Sequence, residues 1–334
     1  MKILLYFEGQ KLIAGSGIGN AMHHQMAALR ANKIAYTLDP NDEYDILHIN
    51  TYGLNSRKII KQARKAHKPV IYHAHSTQED FKNSFIGSNQ LAPLYGKYLK
   101  SLYQLADVLI TPTPYAKKLL TNYGLKMPIY PISNGIDINK YQINETKITA
   151  FRNYFKLDVH KKVVISVGLF FERKGIDDFV KLAELNPEIT FIWFGHINFA
   201  TIPRKIRKLV KTNHPANVIF PGYITGDIIQ GAYSGADAFL FPSREETEGI
   251  VVLEALAASQ NVIIRDIPVY ADWLTNHENV FKAHNIAEFN QQLHYVLEHD
   301  TKLIKNAGVK VAQARSITTV GEQLKAVYQS LLTK

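Results

Sequence analysis

The sequence of 334 residues contains no cysteine. This absence excludes a disulfide scaffold, a thiolate nucleophile, and zinc or iron–sulfur sites held by thiolates. The chain also has no apolar run close to the ~20 residues that a membrane-spanning helix needs. Its opening run, MKILLYFEGQ, stops at Glu8 and predicts a buried strand, not a signal peptide. We therefore expect a cytoplasmic protein, or one attached to a membrane from outside.

Hydrophobic residues make up 46% of the chain and charged residues 20%, which is enough to build the cores of two domains. Short β-rich runs alternate with longer helical patterns, and this order starts again at Val163. The alternation predicts the α/β class, with two doubly wound parallel sheets that face each other across a cleft. We expect one domain over residues 1–145, a second over 146–316, and a last helix over 317–334 that packs back towards the first domain.

The charge is unevenly distributed. The formal net charge is +10, and residues 1–145 hold 17 Lys and Arg against 10 Asp and Glu. A basic first half indicates an anionic partner there, which by sign alone is a lipid surface, a nucleic acid or an acidic substrate. The sequence has no nucleic-acid recognition motif, so no nucleic-acid partner is expected.

The first loop after a strand, EGQKLIAGSGIGNAM, holds Gly15, Gly17 and Gly19. A dinucleotide fingerprint would need its third glycine at Asn20 and would begin directly after the strand, so the spacing opposes it. We interpret the loop as one whose backbone amides approach a diphosphate or a sugar. A flexible surface loop is the alternative.

Polar side chains also end strands of the first half. His75 closes the run VIYHAHST and is a candidate hydrogen-bond donor to a sugar, or else a buried core histidine. None of the 13 histidines has the HExxH spacing of a metal site, and no metal is expected.

Two segments of the second half combine a strand end with a helix start. In SVGLFFERKG, Arg173 and Lys174 precede a helix and suit a phosphate, although solvated turn charges would look the same. In FPSREETEGIVVLEALA, Glu246 lies before the helix and Glu254 lies inside its apolar run. An unpartnered carboxylate there would be costly, so we expect a hydrogen-bonding ligand such as a ribose diol. The amides of Gly249 and Ile250, at the helix start, suit a diphosphate.

These segments, together with Asn134-Gly-Ile-Asp137, resemble the retaining glycosyltransferases of family 4 over essentially the whole chain. The Glu246-x₇-Glu254 spacing is the most specific element of the resemblance. The opening segment and VGLFFERKGIDD resemble a Gram-positive subgroup that adds a hexose to monoglucosyl-diacylglycerol, in the synthesis of the lipoteichoic acid anchor. The resemblance implies the GT-B fold of two facing Rossmann-like domains.

The resemblance also implies roles at the donor. Glu246 contacts the hydroxyls of the donor hexose, and Glu254 contacts the ribose of a uridine nucleotide. Lys174 neutralises the departing diphosphate without a metal. The family usually has an arginine directly after the glycine at 168, where this chain has Leu169, and Arg173 is the candidate replacement.

The remaining implied roles lie nearer the first half. Gly17 and Gly19 let the backbone approach the diphosphate, His75 holds the donor sugar, and Asn134 lines the cleft. UDP-hexose is then a substrate, and no cofactor is expected. The choice between galactose and glucose, the linkage and the number of sugars added stay open.

A basic helical face follows in the first half. Arg57, Lys58, Lys61, Arg64 and Lys65 recur at spacings of three and four. Tyr95 and Tyr98 belong to an apolar, tyrosine-rich stretch further along. One interpretation is a peripheral docking surface on the inner face of the cell membrane that guides a glycolipid acceptor. The other is a solvated helix followed by a core helix.

The sequence therefore favours a UDP-hexose-dependent retaining glycosyltransferase that acts on a membrane glycolipid. The alternatives are a transferase for a soluble or polysaccharide acceptor and a non-catalytic two-domain sugar-binding protein.

Overall fold

A computed structural model describes residues 1–9 and 17–333 of the chain. The chain divides into two compact units. The first contains residues 1–81, 89–135 and 315–334, and the second contains residues 82–88 and 136–314. Within the described residues, no helix combines the length and the apolar character needed to cross a membrane.

The first unit is built on a six-stranded sheet in the order β2-β1-β3-β4-β5-β6, and every pairing is parallel. Its strands are β1 (Lys2–Tyr6), β2 (Ala35–Thr37), β3 (Ile46–Ile49), β4 (Val70–His73), β5 (Val108–Thr111) and β6 (Ile129–Pro131). Its helices are α1 (Gly17–Ala31), α2 (Leu54–Lys65), α3 (Gln78–Phe81), α4 (Ser88–Tyr103, whose first residue is counted with the second unit), α5 (Pro114–Asn122) and α13 (Ile317–Leu332).

Alternate residues of β1 bury on opposite faces of this sheet. Leu4 packs into a core with residues of α2 and α4, whereas Ile3 and Leu5 pack with α1 and α13. Both faces are therefore covered by helices, as parallel sheets require. The carboxyl ends of the strands, with the polar residues that follow them, are left at one edge.

The second unit repeats this architecture with the parallel order β12-β11-β10-β7-β8-β9. Its strands are β7 (Val163–Val167), β8 (Thr190–Phe194), β9 (Val218–Gly222), β10 (Ala238–Phe241), β11 (Val262–Arg265) and β12 (Phe281–Ala283). Its helices are α6 (Glu145–Tyr154), α7 (Ile176–Leu185), α8 (Arg204–Lys211), α9 (Asp227–Gly235), α10 (Ile250–Ala257), α11 (Ile286–Glu298) and α12 (Lys302–Gln313).

Two inner strands of the second unit, β8 and β10, are buried along their whole length, which explains their largely apolar sequences. All five residues of β8, TFIWF, are buried, and so are all four of β10, AFLF. Such strands belong inside a sheet that is covered on both faces. The predicted α/β class with two parallel, doubly wound sheets is confirmed.

Candidate active site

Two loops of the second unit meet because they follow neighbouring strands. β7 leads to the 3₁₀ turn Glu172–Lys174, and β10, its parallel partner, leads to the loop 242–249. The loops approach so closely at Gly175 that a Cβ there would lie 2.3 Å from the carbonyl oxygen of Pro242. Gly175 also has a φ of +75°, so both the space and the backbone conformation favour glycine.

Hydrogen bonds join the two loops directly. The backbone N–H of Arg244 donates to the carbonyl oxygen of Arg173 at 2.8 Å. In return, the guanidinium of Arg173 donates to the carbonyl oxygen of Glu245 at 3.0 Å, and that of Arg244 to Glu172 at 2.6 Å. The cations of one loop are thereby fixed relative to the acidic residues of the other.

Glu246 is the acidic group at this junction, and only 6% of its surface is exposed. It forms an ion pair with Lys174, accepts a hydrogen bond from Ser243 at 2.6 Å, and has Arg173 at 3.9 Å. Burial alone would raise the pKa of Glu246, but the charges of Lys174 and Arg173 outweigh burial and hold the pKa below its ordinary value. An ionised carboxylate and two cations therefore share one buried site.

The N-terminus of α10 lies after the same loop. Gly249 precedes the helix with a φ of +86°, and a Cβ there would lie 2.8 Å from the hydroxyl oxygen of Tyr270. Ile250 is the first helical residue. The first amides of a helix carry partial positive charge, so this end can bind an anion beside Lys174 and Arg173.

Glu254 lies inside α10 and is 5% exposed. Its two carboxylate oxygens accept hydrogen bonds from the hydroxyls of Tyr141, at 2.6 Å, and Tyr233, at 2.5 Å. Burial raises the pKa of Glu254, and the two tyrosine hydrogen bonds oppose that rise. Because Glu254 lies in an apolar segment, its carboxylate needs hydrogen-bond partners, and the protein itself supplies two of them.

The polar residues predicted in the first unit form a second group. The Nε2 atom of His75 lies 2.9 Å from the side-chain oxygen of Asn50, and Asn134 also hydrogen-bonds the ring. Burial lowers the pKa of His75 to about 4, and the hydrogen bond with Asn134 opposes this fall. A neutral imidazole flanked by two amides can exchange hydrogen bonds with sugar hydroxyls.

The glycine-rich loop is described only in part. Gly17 and Gly19 fall in the first turn of α1, where Gly17 is exposed and Gly19 is buried. A Cβ at Gly17 would meet no atom within 4 Å. Gly15 and the rest of residues 10–16 lie outside the described residues.

The predicted basic face belongs to α2. This helix buries Ser56, Ile59, Ile60 and Ala63. Four of the five predicted cations, Lys58, Lys61, Arg64 and Lys65, are exposed, whereas Arg57 is half-buried and donates a hydrogen bond to Ser101 of α4 at 2.7 Å. The basic residues therefore lie on the side of the helix away from the core.

The two predicted tyrosines of α4 are half-buried instead of fully presented to solvent. The ring of Tyr95 stacks on Phe81 at 4.3 Å, and the hydroxyl of Tyr98 donates to the carbonyl oxygen of Tyr52 at 2.8 Å. The exposed apolar residues of this helix are Leu91 and Leu94, at 51% and 64%. Both leucines belong to the apolar, tyrosine-rich stretch that the sequence shows in this region.

Sequence reasoning also missed residues in the second unit. Tyr141 and Tyr233 come from segments with no recognisable motif. The sequence indicated only that the carboxylate of Glu254 needs a hydrogen-bond partner, without identifying one. Arg244 likewise gave no signal, although it bridges Asp177 and Asp178 at 2.9 and 2.5 Å. Leu169, in the position where an arginine was expected, packs against the apolar core.

The chain has two α/β units, each built on a parallel sheet, and the second has a carboxylate and cations beside a helix N-terminus at the carboxyl ends of its strands. These features define a GT-B glycosyltransferase. Sequence comparisons agree: residues 147–310 match the family "Glycosyl transferases group 1", and residues 17–140 match "Glycosyltransferase Family 4". The chain is 48% identical over 334 residues to the processive diacylglycerol alpha-glucosyltransferase of Acholeplasma laidlawii, covering 99% of both chains. The chain belongs to glycosyltransferase family 4, as its motifs predicted.

Other relatives agree with this assignment. The alpha-galactosylglucosyldiacylglycerol synthase of Streptococcus pneumoniae is 28% identical over 77% of this chain and 71% of its own length. Among solved structures, the sucrose-phosphate synthase of Thermosynechococcus elongatus has a TM-score of 0.82 at 17% identity, covering 100% of this chain and 99% of its own. The Anabaena protein HepE in complex with UDP has a TM-score of 0.78 at 19% identity, covering 99% and 100%. At these identities the structures establish the GT-B fold.

Proposed function

We propose that this glycosyltransferase transfers glucose from UDP-glucose to a diacylglycerol glycolipid, with retention of the anomeric configuration. The observation that carries the proposal is the 48% identity, over 99% of both chains, to a protein named as a processive diacylglycerol alpha-glucosyltransferase. That name supports glucose as the sugar and a diacylglycerol lipid as the acceptor. It also supports repeated transfer, in which a product serves again as the acceptor.

The donor is assigned to the second unit. In this proposal the diphosphate binds beside Lys174, Arg173 and the amides of Gly249 and Ile250, where positive charge is already concentrated. Cleavage of the bond between the anomeric carbon and the phosphate oxygen makes the diphosphate more negative. Cations and helix-end amides fixed in advance stabilise that charge as it develops. Glu246, held ionised by the same cations, accepts hydrogen bonds from hydroxyls of the hexose.

Retention follows from attack on the same face of the sugar from which the diphosphate leaves. The acceptor hydroxyl attacks the anomeric carbon, the sugar–phosphate bond breaks, and the departing phosphate oxygen takes the proton of the acceptor. This route needs no protein nucleophile. In the first unit, His75 is proposed to hold the donor sugar and Asn134 to line the acceptor side. In the second unit, Glu254 is proposed to bind the ribose.

The acceptor is assigned to the first unit. We propose that the cations of α2 attract an anionic bilayer, because clusters of exposed Lys and Arg bind acidic lipid headgroups. The exposed Leu91 and Leu94 of α4 support this assignment, since α4 and α2 are joined by the hydrogen bond from Arg57 to Ser101. The enzyme would then act as a peripheral protein at the membrane surface.

A transfer assay tests the proposal directly. UDP-glucose and UDP-galactose are each offered with vesicles that contain diacylglycerol or monoglucosyl-diacylglycerol, and in parallel with a soluble glucoside. Mass spectrometry and NMR of the products identify the lipid, the sugar count and the anomeric configuration. We expect α-linked glucosyl lipid from UDP-glucose. Transfer only to the soluble glucoside, a β-linked product, or sugar binding without turnover would each contradict the proposal.

A further inference from the structure

The two tyrosines that contact Glu254 come from separate parts of the second unit. Tyr141 ends the 3₁₀ turn Ile138–Tyr141, Tyr233 lies on α9, and Glu254 lies on α10. Each tyrosine donates to a different oxygen of the carboxylate. The rings also touch each other edge to face, with centroids 5.5 Å apart. Three elements therefore converge on one acidic side chain.

This arrangement fixes the orientation of the carboxylate but does not use all of its hydrogen-bond acceptor positions. A carboxylate offers about four acceptor positions on its two oxygens. The tyrosines use one position on each oxygen, so each oxygen keeps one more. Because both oxygens are anchored, the plane of the carboxylate cannot rotate freely about its terminal bond. The free positions are consequently held in a set geometry, and a vicinal diol is a ligand that can donate one hydrogen bond to each oxygen.

We propose that Tyr141 and Tyr233 are positioning residues that orient the Glu254 carboxylate to receive the 2′- and 3′-hydroxyls of the nucleotide ribose. The inference rests on the proposed function, which assigns the ribose to Glu254. It adds that the selectivity for ribose over deoxyribose depends on two residues that do not themselves touch the nucleotide. A purely structural pair of tyrosines would instead affect all nucleotides alike.

The experiment compares UDP with 2′-deoxy-UDP by calorimetric titration. The proteins are the unsubstituted enzyme, Tyr141→Phe, Tyr233→Phe and Glu254→Ala. Phenylalanine keeps the ring packing and removes only the hydroxyl. Tyr154→Phe is the matched control, because Tyr154 lies in the same unit and is 57% exposed. Thermal unfolding of each variant is recorded in parallel.

We expect the unsubstituted enzyme and Tyr154→Phe to bind UDP about tenfold more tightly than 2′-deoxy-UDP. In Tyr141→Phe and in Tyr233→Phe, UDP binding should weaken about tenfold while 2′-deoxy-UDP binding changes much less, so the preference shrinks. The preference should also disappear in Glu254→Ala.

Two results separate this inference from the proposed function. If Glu254→Ala loses the preference but both Tyr→Phe variants keep it, the positioning role is wrong and the ribose assignment stands. If the unsubstituted enzyme shows no preference, or Glu254→Ala keeps it, the ribose assignment fails and the inference fails with it. Failure of both Tyr→Phe variants to fold would also overturn the inference, because the hydroxyls would then serve folding.

Discussion

The Nδ1 atom of His48 lies 2.8 Å from the hydroxyl oxygen of Tyr328, a residue 280 positions further along the chain. His48 is on β3 and Tyr328 is on α13, so this contact joins the sheet of the first unit to the C-terminal helix. The ring of His48 stacks on His73 at 5.4 Å, and His73 stacks on His75 at 4.0 Å. Three buried imidazoles thus lie in a row.

Acid should therefore destabilise the first unit. Burial lowers the pKa of His48 to about 3, that of His75 to about 4, and that of His73 well below its ordinary value. Between these values and the ordinary pKa near 6.5, the unfolded chain binds protons that the native protein excludes, so stability rises with pH. Lowering the pH from 7 to 5 should cost about 2 kcal/mol for each histidine that stays neutral.

Hydrogen exchange measures this effect in the unit concerned. The amides of β3 and β4 should lose protection between pH 7 and pH 5, after correction for the intrinsic exchange rate. His48→Gln should reduce the pH dependence, whereas His160→Gln, at an exposed position, should leave it unchanged. Protection that is independent of pH would contradict the prediction.

Replacement of Lys174 should impair catalysis more than folding. Lys174→Met removes the proposed cation at the diphosphate and leaves the buried Glu246 with Ser243 and the more distant Arg173. Loss of one preorganised charge at a developing anion costs a factor on the order of 10² in kcat. Lys205→Met is the matched control, because Lys205 is an exposed cation of the same unit. A kcat within threefold of the original for Lys174→Met would remove Lys174 from the mechanism.

Much of the fold could be predicted because it depends on local pattern. β10 and β8 are apolar throughout since both their faces are buried, and that feature is visible in one sequence. The short edge strands β6 and β12 were not predicted, because β6 ends in a proline and has one buried residue, and β12 has a lysine between its two buried residues, so neither forms a clear apolar run. Nothing in the sequence of residues 82–88 indicates that they belong with the second unit.

The residues of the candidate site likewise include some that the sequence could predict and some that it could not. Glu246 and Lys174 could be proposed from the sequence because each follows a strand and precedes a helix, a context that a single sequence displays. Tyr141 and Tyr233 were not predicted, because their contacts with Glu254 form only when three elements of the fold meet around it. Contacts between residues that are far apart in the sequence produce no motif of characteristic spacing, so they become visible only in the folded structure.

The acidic residues at the start of α7 should be important for the stability of the second unit. Asp178 is 7% exposed and accepts hydrogen bonds from Arg244 at 2.5 Å and Arg265 at 2.6 Å. Asp178→Asn removes the carboxylate charge with which Arg265 pairs and leaves Arg244 paired with Asp177, and we expect a loss of about 3 kcal/mol. Urea unfolding followed by fluorescence reports on this unit alone, because both tryptophans, Trp193 and Trp273, belong to it.

The control for Asp178→Asn lies on the same helix. Glu184 is exposed on α7, and Glu184→Gln makes the same change of charge, so its unfolding curve should match that of the original protein. Equal stability of the two variants would mean that the Arg244–Asp178–Arg265 cluster contributes no more than a solvated charge.

Membrane binding should depend on where the positive charge lies and not only on its total. The triple variant Lys58→Glu, Lys61→Glu, Lys65→Glu reverses three exposed charges of α2. Each lysine near an anionic surface contributes about 1 kcal/mol, so sedimentation with anionic vesicles should fall by at least about 100-fold. The same reversal at Lys205, Lys208 and Lys211 of α8 changes the net charge equally, yet should leave sedimentation nearly intact. Equal losses in both triple variants would show that net charge, and not the face of α2, drives the binding.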